Sequence, residues 1–85
     1  MPRYFFQVAD GEDYPDLQGT VLDNDAAART EAVRFSGQLL SDTPDKFWSG
    51  QEWKMTVTDG NNLTLFELMF TANCSAAMRM PQGAL

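Results

Sequence analysis

The sequence predicts an α+β fold, a single helix packed on a three- to four-stranded antiparallel sheet in the order β-β-α-β-β. Three observations predict it. Apolar residues alternate at period two in Tyr4, Phe6 and Val8 and again in Trp53, Met55 and Val57. They recur at helical spacing in Ala28, Ala32, Phe35 and Leu39. The dipeptide Asp59-Gly60 then separates two strand-like runs, as a hairpin requires.

The first strand spans 3–9, with Tyr4, Phe6 and Val8 on one face. Asp10-Gly11 ends it, because glycine supplies the positive φ of a tight turn, and the polar stretch through Asp16 extends the connection. A second, shorter strand follows Gly19 at Thr20-Val21-Leu22. Asp23, Asn24 and Asp25 are three candidate N-caps, whose side-chain oxygens can accept from the unpaired amides of a helix's first turn.

The helix is expected over 26–40. Its opposite side carries Arg29, Thr30, Arg34, Gln38 and Ser41, with Asp25–Arg29 and Glu31–Arg34 as surface pairs. Gly37 weakens a helix interior by roughly 1 kcal/mol relative to alanine, and close packing is the expected reason for it. The stretch 41–45 reads as a stop followed by a loop, since a residue before proline is pushed out of helical geometry. The run 51–58 is the clearest strand, and 63–70 returns as its hairpin partner. Periodicity stops beyond Thr71, so the expected organisation is one domain over 1–70. The tail over 71–85 is then partly disordered or forms one helical turn near 76–80.

One helix covers one face of such a sheet. The covered set is Tyr4, Phe6, Val8, Trp53, Met55, Val57, Phe66, Leu68 and Phe70 against the helical stripe. Phe5, Leu63, Leu65 and Met69 are left on the other face, and a contiguous apolar patch of that kind marks an interface. With Trp48 from the loop, these residues form the expected interaction surface, for a homodimer or a protein partner. The alternative is a patch that Lys54, Thr56 and Glu67 interrupt and that stays wet. A chain of 85 residues hides only about 60% of its unfolded surface, so a partner subunit would add appreciably to its stability.

The formal charge of −6, twelve acids against six scattered bases, disfavours binding to a phosphate backbone, so no nucleic-acid partner is expected. The opening residues have too short an apolar run for a signal peptide, and no stretch approaches the roughly 18 apolar residues that span a bilayer. No membrane partner is expected. Cys74 is the lone cysteine, which fits a reducing compartment, and the cytoplasm is the expected location.

The chain has no histidine, which removes the commonest general base and the commonest metal ligand. Cys74 has no histidine to activate it and reads as a spare thiol. Asp10, Glu12, Asp13 and Asp16 lack the ordered alternation and the distal glutamate of a calcium loop, so solvated turn residues are the expectation. Trp48 and Trp53 could stack a ligand, yet only Lys46 and Lys54 flank them and packing is favoured. The glycines never reach a phosphate-loop spacing. No cofactor, no metal and no catalytic residue is assigned.

The opening Met1-Pro2-Arg3-Tyr4-Phe5-Phe6, the Asp10-Gly11 turn and Asp16-Leu17-Gln18-Gly19, together with the helix from Ala26 to Ala32 and Val57-Thr58-Asp59-Gly60, resemble a family of short bacterial proteins. It is known as domain of unknown function 6894, and the likeness covers about residues 1 to 70. Members often carry histidine where this chain has Gln7, and the family name implies no activity. A weaker likeness is to HicB-type antitoxins, through Pro15-Asp16-Leu17-Gln18-Gly19 and the capped helix. The chain lacks their evident DNA-binding domain. The resulting expectation is a non-enzymatic binding or protein-interaction module. The alternatives are an antitoxin-like protein neutralising a basic toxin and a small ligand-binding domain or carboxylate-based enzyme.

Overall fold

The computed structural model describes residues 1–49, 52–73 and 75 of the chain. Cys74 and the helical turn expected near 76–80 lie outside them. The elements are β1 (Arg3–Ala9), β2 (Asp13–Tyr14), β3 (Thr20–Val21), α1 (Asp25–Asp42), α2 (Pro44–Ser49), β4 (Trp53–Thr58) and β5 (Thr64–Phe70). The fold is α+β, a five-stranded antiparallel sheet and one main helix.

β1 pairs with β4, and β4 with β5, so β1 and β4 are the central strands. The other edge of β1 is covered in pieces. β3 pairs with Arg3 and Tyr4, and β2 with Val8 and Ala9. Between them the Phe6 N–H donates to the Asp16 carboxylate at 3.1 Å, so a side chain stands in for the missing strand partner. The same carboxylate accepts from the amides of Gln18 and Gly19, at 3.1 and 2.9 Å, which folds 15–19 back along the strand. Gly19 has φ +74, and a Cβ there would lie 2.8 Å from Arg3 Cγ and 2.9 Å from Phe5 Cε2. Only glycine fits that approach without a shift in its neighbours.

Asn24 is the N-cap among the three candidates, its Oδ1 accepting from the Ala27 N–H at 2.8 Å. Asp25 turns away from Arg29 and accepts instead from the Tyr4 hydroxyl at 2.6 Å, while Glu31 and Arg34 pair as expected at 2.7 Å. Ala28, Ala32 and Ser36 are the fully buried positions of α1, small residues that let the helix approach the sheet closely. The Ser36 hydroxyl lies 3.5 Å from the sulfur of Met55, which is itself fully buried. Phe35 and Leu39 pack beside them, Phe35 edge-on to Phe6 at 6.4 Å.

Three expectations need correction. Residues 44–49 are a short helix, not a loop: Pro44 at its first position needs no amide partner, and the Thr43 carbonyl accepts from the Phe47 N–H. Asp13–Tyr14 is a two-residue strand inside the stretch read as a connection. Gly37 is not a close-packing position, because a Cβ there would meet nothing within 4 Å.

The Asp59-Gly60 hairpin forms as expected. Asp59 Oδ1 accepts from the Asn61 and Leu63 amides, and Asn62 takes the left-handed conformation at φ 65. A register irregularity between Val57 and Thr58 pairs Val57 with Phe66 but Thr58 with Thr64. The extra residue, Leu65, interrupts strict alternation and packs against the core cluster.

Candidate functional site

The helix layer does not cover the whole inner face of the sheet. α1 crosses it with its small residues down, and α2 turns off beyond Thr43. A groove of about 750 Å³ remains between the strand end of the molecule and the C-terminal half of α1. Its floor is apolar: Phe6, Val8 and Trp53 from the sheet, Phe35 and Leu39 from the helix. Phe35 and Leu39 are only partly buried because their outer sides form the floor, unlike Ala28 and Ala32, which are sealed beneath α1.

The rim is polar and mostly acidic. Asp10, Tyr14 and Asp16 stand on the strand side, Glu31 and Asp42 on α1, and Lys46 on α2. Burial pushes the Asp16 carboxyl up, but the amides of Gly19, Phe6 and Gln18 outweigh it, so Asp16 titrates below the usual carboxylate value and stays ionised. Lys46 spans the groove at one end. Its ammonium donates to the Tyr14 hydroxyl, lies 3.4 Å from the Asp10 carboxylate and sits 4.9 Å from the centre of the Tyr14 ring. The Tyr14 hydroxyl raises the Lys46 pKa against desolvation, with help from Asp10. The groove is thus a trough with an apolar floor, carboxylates on both walls and one internal ammonium latching its end.

The residues expected to form an interaction surface are not one patch. Phe5, paired with Thr58, and Met69, paired with Lys54, face away from α1, and Met69 is 55% exposed. Lys54 and Glu67 pair across that face at 3.6 Å. Leu63 stands at the hairpin end, 61% exposed, while Leu65 belongs with the core. Trp48 is on α2 in the helix layer, stacked edge-on against Phe47 at 5.9 Å and separated by the sheet from Phe5 and Met69. Trp53 is buried at the groove floor, edge-on to Phe70 at 5.4 Å.

Sequence reasoning missed the rim. Glu31, Phe35, Leu39 and Asp42 recur at spacings of four, four and three, so two acids bracket two large apolar residues on one helical face. That signal was readable, though the partners on the strand side lie more than a dozen residues away and meet it only through the sheet. Among the described residues no group of three or more histidine, cysteine, aspartate or glutamate side chains is placed to hold a metal ion. No helix is long and apolar enough to cross a membrane, of those described.

No curated protein and no solved structure matches the chain. The family model described as Domain of unknown function (DUF6894) matches residues 3–71, which runs from the first residue of β1 to one past the end of β5 and takes in both walls of the groove. The match takes in the Asp16 to Gly19 turn and the strands and helix on either side of the groove, and this chain belongs to the DUF6894 family.

Proposed function

We propose that the protein is a non-enzymatic binding module that holds its ligand in the groove between β1, the loop through Asp16 and the C-terminal half of α1. The observation that carries this reading is the groove in which the half-buried Phe35 and Leu39 present apolar surface above the buried Phe6 and Trp53, of a size that suits a small ligand or a few side chains. Such a floor is apolar surface that neither the helix nor a loop seals, and burying it is what a ligand would gain.

Binding is favoured over catalysis because three of the four groove acids are occupied, which leaves Asp42 without a second free acid to work with. Acid–base work needs two titratable groups pushed apart in pKa and free to reach a substrate. Asp16 is fixed in its ionised form by three backbone amides, Asp10 is engaged by Lys46, and Glu31 by Arg34. The acidic rim also disfavours a nucleic-acid ligand, whose phosphates it would repel. An antitoxin-like protein facing a basic toxin is a narrower form of the same reading, and the rim's charge suits it.

Titration with a library of small neutral aromatic and aliphatic compounds, followed by amide and methyl resonances, tests the reading. The expected shifts cluster on Phe6, Val8, Phe35, Leu39 and the Trp53 indole. Shifts confined to the outer face would remove the groove as the binding site.

A second reading has its own observation. β5 pairs with β4 on one side and with no other described strand, and it carries the exposed Met69. A seven-residue edge is a template for another strand, and a second copy could extend the sheet there. Sedimentation over a range of concentrations decides it, with amide exchange to locate the contact: a dimer that protects the β5 amides supports the edge, and a monomer throughout excludes it.

A further inference from the structure

We infer that the occupant of the groove is an extended segment of a partner protein in which lysine or arginine side chains adjoin large apolar ones. This rests on the groove being the binding site and adds the sign and the kind of ligand.

Charge selects the sign. Four carboxylates, Asp10, Asp16, Glu31 and Asp42, line the groove against the single ammonium of Lys46. Three of the four are engaged. Asp42 has no hydrogen-bond or ion-pair partner among the described residues, and it is the last residue of α1. That is an unfavourable place for an anion, because the helix C-terminus is already the negative end of its dipole and no basic residue lies in the last turn of α1. Asp42 is exposed, so water solvates its charge in the free protein, and an incoming cation would add a pairing that the fold itself does not supply.

Lys46 shows what the rim receives. Its ammonium is held by a carboxylate and by a phenol oxygen, at the hydroxyl edge of the Tyr14 ring, so oxygen acceptors on this rim already hold one cation. A ligand cation set at Asp42 would leave its apolar neighbour over Phe35, Leu39 and Trp53. The carboxylates stand on both walls along the groove instead of converging on one point, which suits a chain with successive side chains better than a lone small amine.

The test is calorimetric titration of the full chain with three acetylated, amidated hexapeptides, combined with amide spectra to locate the site. One alternates lysine with phenylalanine and leucine, the second has glutamate for lysine, and the third has serine for the apolar residues. 2-Phenylethylammonium is the small-amine control. The lysine–apolar peptide is expected to bind in the groove at least tenfold more tightly than either other peptide or the amine, and to weaken as salt is raised. Asp42→Asn, checked for an unchanged fold, should weaken it roughly two- to fivefold. Lys46→Gln should strengthen it by freeing Asp10 and removing a competing cation, whereas a purely structural Lys46 would leave affinity lower. Equal binding of the glutamate peptide, or indifference to Asp42→Asn, overturns the cation preference. Equal binding of the amine overturns the peptide as occupant. Neutral fragments that bind in the groove while no peptide does overturn this inference alone, and failure of both classes overturns the groove as well.

Discussion

The hydroxyl of Tyr4 donates to Oδ1 of Asp25 at 2.6 Å, joining the first strand to the first turn of the helix that covers it. Tyr4 is 2% exposed, and the acceptor is the first residue of α1. The hydrogen bond to Asp25, followed by desolvation and the carboxylate's charge, pushes the phenol up to about 12. A proton held more tightly in the folded state than at the ordinary value of about 10 means stability that is complete below pH 10 and lost as pH rises toward 12. Denaturation midpoints should therefore fall across that window. Tyr4→Phe should be less stable at neutral pH, lack that fall and lose a tyrosinate absorbance step near pH 12.

The Asp16 carboxylate does opposite work at the other end of the scale. Held below its ordinary value by the Gly19, Phe6 and Gln18 amides acting against its burial, it adds stability above about pH 4 that is lost as pH falls through its folded value. Asp16→Ala should cost about 1–2 kcal/mol at neutral pH, the loss of hydrogen bonds in a partly solvated loop, and flatten the acid limb of the stability profile. Urea titrations at a series of pH values check both. The variant should also loosen the groove wall, seen as faster amide exchange at Phe6, Gln18 and Gly19.

Two glycines should respond with opposite sign. Gly19→Ala forces a Cβ to within 2.8 Å of Arg3 Cγ at a positive φ, and should destabilise by about 1–3 kcal/mol. Gly37→Ala adds a methyl in open space on an ordinary helical backbone and should stabilise by about 0.5–1 kcal/mol. Thermal or urea unfolding measures both. A Gly37→Ala variant less stable than the parent would mean that the exposed side of α1 is covered by something.

Period-two alternation made β1 and β4 legible from sequence, because a half-buried strand repeats its demand at every second residue. Asp59-Gly60 marked the hairpin for a similarly local reason. α2 was missed because Pro44 was read as the end of one helix; Thr43-Pro44-Asp45 is equally a cap, a first-turn proline and a first-turn acid, which begin another. The bulge that draws Leu65 to the core leaves no mark in composition, since it arises from pairing geometry with β4. Ser36, which the apolar stripe does not include, lies four residues from Ala32 on the buried side of α1, its hydroxyl 3.5 Å from the Met55 sulfur. The groove was the least legible feature. Its walls come from the loop before β3 and from α1, and Asp10, just after β1, meets Lys46 on α2 across a long stretch of chain.

The most direct test of the groove as the binding site is a crystal structure of the protein with the lysine–apolar peptide. The account predicts an aromatic or leucine side chain seated on Phe35, Leu39 and Trp53, with a lysine ammonium within about 4 Å of Asp42. A peptide lying along β5 or on the Phe5 and Met69 face, with the trough empty, would contradict it.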